Sequence, residues 1–281
     1  GGHDARLPSP SAGGSLAHPV RVHTTDTRRP AEETTMGKPR PKLTYRPPVP
    51  DGGVVVAFIH PGQVSAFFLS SIVTLLLADR SGPQRIVGMV QEWSSANVSA
   101  SRNELTAQFL DKYTAEWLLW VDADMAFGHD SLDLLLDVAD KDTAPIVGGL
   151  CFGMTNGQLF PTIYNLAVDP DTDEPVTVRA VQYPRDSVVQ VAATGAAFLL
   201  IHRSALVKMR ERGFNRTFPF FQETEMGGRP TGEDITFCLR AMALEIPVHV
   251  HTGVRVGHHK SHLLDEDLFD AQQTTQTGGD S

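Results

Sequence analysis

Apolar runs and longer amphipathic segments alternate along the first half of the chain. The runs 54–59, 85–90, 117–121 and 146–150 are short and almost uninterrupted, as in strands that are buried on both faces of a parallel sheet. Helices are predicted between them, at about 65–79, from Ser101 onward and at 131–140, while 91–98 is predicted as a polar loop. The helix is predicted to begin at Ser101 because Glu104, three residues later, completes a capping-box pattern.

The second half has a mixed pattern. Four strands are predicted there, at 161–167, 176–183, 188–193 and 197–202. The Asp- and Pro-containing stretch 169–173 predicts a turn between the first two, which indicates an antiparallel excursion, and a helix from Ser204 should end at Gly213. The predicted fold class is therefore α/β, with a Rossmann-like nucleotide-binding half, a mixed central sheet and a small antiparallel part.

The two ends of the chain differ from its middle. Residues 1–51 are rich in Pro, Arg, Thr and Gly and lack apolar periodicity, which predicts a disordered N-terminal arm, and 273–281 is predicted to be a flexible tail. A single domain is expected over 52–272. No apolar stretch reaches the roughly 18 residues of a membrane span, so none is predicted.

Composition narrows the function classes. The formal net charge of −9 argues against a broad basic surface for nucleic acid, although a local basic groove stays possible. Cys151 and Cys238 lie far apart without a CxxC partner, and we expect reduced, buried thiols in a cytoplasmic protein.

Two acids follow the run 117–121, in the sequence Asp122-Ala123-Asp124. Ligands of open α/β sheets bind just beyond the carboxyl ends of the strands. Carboxylates one residue apart at such a position suit a hard divalent cation that also contacts phosphate oxygens. An alternative is that Asp122 and Asp124 only cap the turn that precedes the next helix.

Several motifs occur in the order found in one family of enzymes. They are the strand 55–60, Ala100-Ser101-Arg102-Asn103, Asp122-Ala123-Asp124, Thr194-Gly195-Ala196-Ala197-Phe198-Leu199, Gly232-Glu233-Asp234 and Val256-Gly257-His258. With these motifs the chain, from Val54 to about His262, resembles a GT-A-fold glycosyltransferase of the family-2-like group, which includes phage and actinobacterial versions. The resemblance implies transfer of a sugar from a nucleoside-diphosphate sugar, with UDP as the default nucleotide.

The resemblance also implies a metal site for Mn²⁺ or Mg²⁺. Asp124 is the first choice for direct ligation, and Asp122 is assigned to the ribose or the metal's outer sphere, with direct ligation as the alternative. His258 would add a nitrogen ligand, which suits Mn²⁺ better than Mg²⁺. His259 is the alternative to His258.

Other residues are assigned to the donor. His60 and Pro61 would line the nucleobase pocket. Arg102 and Asn103, at a predicted helix start where free amides favour anions, would contact the base or a phosphate and orient the loop. Further donor contacts are assigned to Ala123 in the acidic motif, Gly149 and Gly195, where the backbone is free to approach, and Lys260, which would neutralise the diphosphate.

Glu233 and Asp234 are the catalytic candidates. In inverting members of the family one acid of this pair deprotonates the acceptor hydroxyl, and the resemblance favours Asp234; in a retaining enzyme it would bind acceptor or sugar instead. The structural alternative is a helix start whose acids are stabilised by the helix dipole.

Two other function classes compete with this interpretation. A haloacid-dehalogenase-like phosphatase would use Asp122 as its nucleophile, and a non-catalytic protein would bind the nucleotide sugar without turnover. The acceptor stays open among a polysaccharide, a protein, a small metabolite and a modified DNA base. For a phage-encoded chain, the expected location is the cytoplasm of the bacterial host.

Overall fold

The computed structural model describes residues 53–94, 97–155 and 157–260. The predicted arm at 1–51, the tail at 273–281 and the last part of the predicted domain lie outside the described residues. Within the described ranges, no helix has the length and apolar character needed to cross a membrane.

The first half alternates between strand and helix as the sequence predicts. Its elements are β1 (Val54–His60), α1 (Ala66–Ser81), β2 (Ile86–Trp93), α2 (Val98–Lys112), β3 (Trp117–Val121), β4 (Met125–Ala126), α3 (Ser131–Leu136) and β5 (Ile146–Leu150). Every residue of β3 and β5 is buried. This burial explains why both strands are apolar throughout rather than at alternate positions.

The second half is mainly antiparallel. Its elements are β6 (Phe152–Thr155), β7 (Gln158–Pro161), β8 (Ile163–Val168), β9 (Pro175–Arg179), β10 (Val188–Val191), β11 (Ala193–Thr194), β12 (Phe198–His202), α4 (Arg203–Arg212), β13 (Thr224–Met226), β14 (Arg229–Thr231), α5 (Glu233–Met242), β15 (Val248–Arg255) and β16 (Gly257–His258). The predicted antiparallel excursion is present as β8 paired with β9. Helix α4 ends, as predicted, at Gly213, whose φ of 66° is left-handed.

The central sheet has seven strands in the order β10-β15-β5-β12-β3-β1-β2. Strand β12 runs antiparallel to both of its neighbours, β3 and β5, and β10 runs antiparallel to β15, whereas the remaining pairs are parallel. The predicted class, α/β with a mixed central sheet and a small antiparallel part, is therefore confirmed.

Each face of the sheet packs against helices. One core contains Leu105 and Phe109 of α2 with Phe237 of α5, and the other contains Phe68 of α1 and Leu132 of α3. Strand β3 contributes alternate residues to both cores. Its carboxyl end is therefore fixed from both sides, which makes it a rigid base for the acids that follow it.

Several predicted boundaries are wrong. Helix α2 begins at Val98 rather than Ser101, because the side chain of Asn97 caps it by accepting a hydrogen bond from the Ala100 amide. Helix α3 ends at Leu136 rather than near Asp140. The predicted loop 91–98 is partly strand, since β2 continues to Trp93 alongside β1. The hairpins β6–β7 and β13–β14 are additional to those predicted.

Both cysteines are free and buried, as predicted. Burial raises the pKa of the Cys238 thiol to about 12 and that of Cys151 further. Neither thiol is therefore a nucleophile at neutral pH.

Asn103 fastens a loop to helix α2. Its side-chain amide donates to the carbonyls of Ser99 and Phe221, each at 2.7 Å, and its oxygen accepts from the Phe220 amide at 2.9 Å. Asn103 is buried, and the rings of Phe220 and Phe221 are fully buried in the core. Asn103 thus ties the helix to a loop whose two aromatic side chains belong to the core.

Replacing Asn103 by Ala should lower the free energy of unfolding by roughly 2–4 kcal/mol, because it leaves buried backbone groups of the loop without partners. Urea unfolding would measure the change. Asn165→Ala, at an exposed strand position, is the matched control and should change stability by less than about 0.5 kcal/mol. Equal effects of the two substitutions would contradict a fastening role for Asn103.

Candidate functional site

A cleft of about 800 Å³ opens beyond the carboxyl ends of β1 and β3. Its lining comes from the loops after β1 and β3, the entry to α2, the first residue of α5 and the segment at β16. Ten of the residues predicted for the site line it: His60, Pro61, Arg102, Asp122, Ala123, Asp124, Glu233, His258, the alternative ligand His259, and Lys260. The volume lies within the roughly 300–1,000 Å³ that is common for small-molecule sites.

The acidic motif is held by backbone hydrogen bonds to neighbouring segments. The amide of Asp122 donates to the carbonyl of Ala197, and the carbonyl of Ala123 accepts from the amide of Ser65. The carbonyl of Asp124 accepts from the amide of His259. These bonds join the motif to β12, to the start of α1 and to the segment after β16, so that its two side chains have defined directions.

The two carboxylates have different partners. Asp122 accepts a hydrogen bond from the Arg102 guanidinium at 2.7 Å, whereas Asp124 lies 3.0 Å from His258 Nε2 and 3.2 Å from Lys260 Nζ. Asp122 is therefore paired with a buried cation beneath the cleft. Asp124 lies beside His258 and Lys260, where a bound divalent cation would contact the same carboxylate.

His258 reaches Asp124 because β16 pairs with β4, in which Met125 directly follows the acidic motif. Its Nδ1 donates to the carbonyl of Phe152 at 3.0 Å, which fixes the ring and leaves Nε2 on the side of Asp124. The hydrogen bond to Asp124 raises the pKa of His258. Burial opposes ionisation of Asp124, yet the hydrogen bond and charge of His258, followed by Lys260, hold the Asp124 pKa below its ordinary value.

This pair has the chemistry of a partial metal site. An imidazole whose outer nitrogen is hydrogen-bonded to a carbonyl is the usual arrangement of a metal-binding histidine. Among the described residues, no group of three or more His, Cys, Asp and Glu side chains converges. Asp124 and His258 fit a cation that takes its other ligands from substrate phosphates and water, as Mg²⁺ commonly does. His259, the alternative ligand, instead packs its ring against Phe67, with 5.1 Å between centroids.

His60 and Pro61 lie where β1 ends, on the wall of the cleft that faces the entry to α2. His60 Nδ1 accepts from the Gly62 amide at 3.0 Å, and its carbonyl accepts from the Ser94 amide. The backbone of Gly62 has a φ of 94°, which a glycine adopts without strain. The loop is thus preshaped around His60.

Arg102 and Asn103 lie in the second turn of α2, not at a helix start as predicted. Free helix amides therefore do not explain their position. Arg102 lines the floor of the cleft with 3% of its surface exposed, and Asn103 is outside the cleft and occupied with the loop at Phe220. The structure brings Arg102 to the site but not Asn103.

Glu233 and Asp234 begin α5 after Gly232, and they face different surroundings. Glu233 lines the cleft, with its Oε1 at 3.4 Å from Arg102 Nε. Asp234 is outside the lining, and its Oδ1 accepts from the Ile235 amide. Burial, and then the charge of Glu233, raise the pKa of Asp234 to about 6.

The two predicted glycines have different neighbours. A Cβ on Gly195 would lie 3.5 Å from Asp234 Oδ2 and 3.6 Å from Thr162 Oγ1, which are ordinary contact distances, so Gly195 packs beside the Asp234 carboxylate without covering it with a side chain. A Cβ on Gly149 would lie 3.0–3.1 Å from the side chains of Val256, Phe198 and Val254. Gly149 thus permits close packing inside the sheet and does not line the cleft.

Some lining residues were missed by the sequence interpretation: Gln63, Val64, Ser65, Ser94 and Val98. Ser65 carried a readable signal, because a serine directly before an apolar helical segment is a typical N-cap, and its Oγ accepts from the Phe68 amide. The others carry no local signal, since a loop's exposure to a cleft depends on the packing of distant segments.

Comparison with known proteins finds solved structures of similar fold. No family model matches the chain, and no curated protein does. Similar solved structures include A197 from STIV, with 14% identity over 74% of this chain and 86% of that one and a TM-score of 0.47. GalNAc-T7, solved with UDP, GalNAc and Mn²⁺, has 11% identity over 73% of this chain and a TM-score of 0.47, and this chain spans only 43% of its length.

A third similar structure is a glycosyltransferase involved in the glycosylation of the major capsid of PBCV-1. It has 13% identity, covers 59% of this chain and 71% of its own, and has a TM-score of 0.31. The solved structures that this chain resembles in fold thus include glycosyltransferases.

Proposed function

We propose that this chain is a metal-dependent glycosyltransferase that uses a nucleoside-diphosphate sugar, with a UDP-sugar as the first candidate. The observation that carries the proposal is the Asp124–His258 pair, 3.0 Å apart, in a cleft beyond the carboxyl ends of parallel strands. The order of the sequence motifs, which resembles that of GT-A enzymes, supports it.

Each part of the cleft has a role in this proposal. His60 and Pro61 hold the nucleobase at the end of β1, and Asp122 holds the ribose or the metal's outer sphere. Asp124 and His258 hold Mn²⁺ or Mg²⁺, which, when bound, stabilises the leaving diphosphate as a Lewis acid. Lys260, whose side chain is about half exposed, adds positive charge at the same place.

Asp234 is the proposed general base. Its raised pKa suits proton abstraction near neutral pH, because a base with a pKa close to the operating pH is both ionised and able to hold a proton. Gly195 has no side chain that would contact Asp234 Oδ2, which keeps that oxygen uncovered on this side. The preceding residue, Glu233, lines the donor cleft.

A phosphatase of the haloacid-dehalogenase type is disfavoured by the position of the acidic motif. In that class the motif follows the strand that opens the domain, whereas Asp122 follows β3. The acceptor of the proposed transfer stays open among polysaccharide, protein, metabolite and modified base.

Thermal unfolding with UDP, GDP, dTDP and CDP, each with Mn²⁺ and with EDTA, tests this proposal. A nucleotide at ~100 times its dissociation constant adds roughly 2.7 kcal/mol of stability. For a domain of this size that corresponds to a rise in Tm of roughly 5–10 °C. We expect one nucleotide to give this rise with Mn²⁺ and to lose it in EDTA. The absence of a shift with all four nucleotides would refute a nucleotide-sugar enzyme.

A further inference from the structure

Arg102 is a buried cation beneath the floor of the cleft. Its guanidinium carbon lies 5.0 Å from the ring centre of Trp120 and 5.6 Å from that of Phe221, and both rings are fully buried. The aromatic pair fixes the plane of the guanidinium and keeps bulk water away from it. A planar group held in this way is suited to orient other groups, because it has little freedom of its own.

The guanidinium contacts three segments that are distant in sequence. Nη2 donates to Asp122 Oδ1 at 2.7 Å, after β3, and Nη1 donates to the Ala196 carbonyl at 3.5 Å, before β12. Nε lies 3.4 Å from Glu233 Oε1, at the start of α5, where the attraction is electrostatic because Nε lacks a hydrogen-bond partner. Arg102 thus joins the acid at the donor side to the acid pair at the start of α5.

The charges around Arg102 explain why a cation is needed. Asp122, Glu233 and Asp234 bring three carboxylates to one partly buried region, and each of them attracts the guanidinium. Glu233 and Asp122 make ionisation of Asp234 harder, whereas Arg102 makes it easier. The phenol of Tyr164, on β8, also faces Asp234, with Arg179 of β9 beside it. Without Arg102, the carboxylates would repel one another with little water to screen them.

We propose that Arg102 is a positioning residue that couples the two acidic motifs, holding Asp122, after β3, and Glu233, at the start of α5, in one fixed arrangement. In this role Arg102 does not bind the donor, although its sequence position first indicated a donor contact. The catalytic part of this inference rests on the proposed glycosyl transfer. The coupling itself is a property of the folded chain and is tested separately.

The test compares Arg102→Met and Arg102→Lys with a matched control, Arg240→Met. Arg240 is also buried, lies 5.5 Å from the ring centre of Phe214, and donates to the carbonyls of Phe218 and Phe220 rather than to an acid. Loss of either arginine should lower Tm. Only the loss of Arg102 should also change the coupling to Glu233 and the pH dependence of activity that Asp234 sets.

The first measurement is a double-mutant cycle on Tm, which needs no activity. Arg102→Met should lower Tm by less in the Glu233→Gln background than in the wild type, because the charge that Arg102 neutralises is then absent. The effects of Arg102→Met and Glu233→Gln on Tm should therefore not add. Those of Arg240→Met and Glu233→Gln should add. Additive losses in the Arg102 cycle would refute the coupling, whatever the outcome of the nucleotide-binding experiment.

The second measurement is the hydrolysis of the bound nucleotide sugar. Water replaces the acceptor: its oxygen bonds to the sugar, its proton passes to Asp234, and the bond from the sugar to the nucleoside diphosphate breaks as the diphosphate leaves. Arg102→Met should lower kcat by at least about 100-fold while the Kd for the Mn²⁺–nucleotide complex rises by less than about tenfold. The pH at which activity is half-maximal should move upward, and Arg102→Lys should partly restore both values.

Two kinetic results would overturn the proposal. A Kd that rises by more than about 100-fold with kcat unchanged would make Arg102 a donor ligand. A pH profile equal to that of Arg240→Met would make it only a packing residue. A wild-type protein that binds no nucleotide would refute the proposed function and leave the stability cycle as the test of the coupling.

Discussion

Asp124→Ala should weaken binding of the Mn²⁺–nucleotide complex by at least about 100-fold. Removal of groups that only support a metal ligand typically costs about 10–100-fold in affinity or activity, and a direct ligand should cost more. His258 and Lys260 both contact the Asp124 carboxylate and would lose this partner in the variant. With the carboxylate absent, these groups leave only positive or neutral charge where the cation would bind.

Calorimetric titration of the nucleotide with and without Mn²⁺ checks this result. Asp111→Ala is the matched control, because Asp111 forms an exposed ion pair with Arg210 on the surface. Such a pair contributes little to stability, so the control should bind as the wild type does. A variant at Asp124 with unchanged, Mn²⁺-dependent affinity would contradict the assignment of the metal to this carboxylate. If the wild type binds the nucleotide equally well with and without Mn²⁺, and Asp124→Ala has the same affinity, the diphosphate is bound by Lys260 without a metal.

Asp234→Asn should lower turnover by roughly 10²–10⁴-fold and leave nucleotide binding intact. Loss of a general base typically lowers the rate by roughly 10²–10⁴-fold. Asp234 is outside the lining of the donor cleft, so the nucleotide should bind with little change. Wild-type activity should fall as the pH decreases through about 6, where the base becomes protonated. Glu233→Gln should move this midpoint to lower pH, because the charge of Glu233 raises the Asp234 pKa.

Stability gives an independent check on Asp234. Its pKa in the folded protein lies above the value of an unfolded aspartate, so the folded state is favoured at low pH and loses that advantage as the pH rises through about 6. Asp234→Asn should therefore melt at a higher temperature than the wild type above pH 6, and the difference should vanish near pH 4. A variant that turns over at the wild-type rate would remove Asp234 from the chemistry. One that binds no nucleotide would place it in the donor site.

The sequence predicts well those features that a short stretch of chain determines by itself. Strands buried on both faces must be apolar throughout, so β1, β3 and β5 are visible as apolar runs. The position of Asp122 and Asp124 beyond β3 follows from the same local pattern. Gly213 ends α4 because its left-handed conformation is easily adopted only by glycine.

Features that depend on distant segments were predicted poorly. Asn97 and Ser101 are both polar residues of a type that caps helices, and the structure uses Asn97, whose side chain accepts from the Ala100 amide. This shift of one turn is the reason why Arg102 lies beneath the cleft instead of at a helix start. The hairpin β6–β7 did carry a local signal, since the sequence Asn156-Gly157 is a common hairpin turn, and that signal was overlooked.

The strand order has a consequence for the synthesis of the chain. Strand β15 lies between β5 and β10 in the sheet, although it is made after both, and β16 joins β4 across more than half of the described sequence. A nascent chain can therefore pair β1, β2 and β3 early, but β10 has no place in the sheet until β15 has left the ribosome. His258 reaches Asp124 only after this late insertion. Ribosome-bound intermediates would consequently carry the acidic motif without its histidine, and the proposed metal site would form only when the sheet is complete.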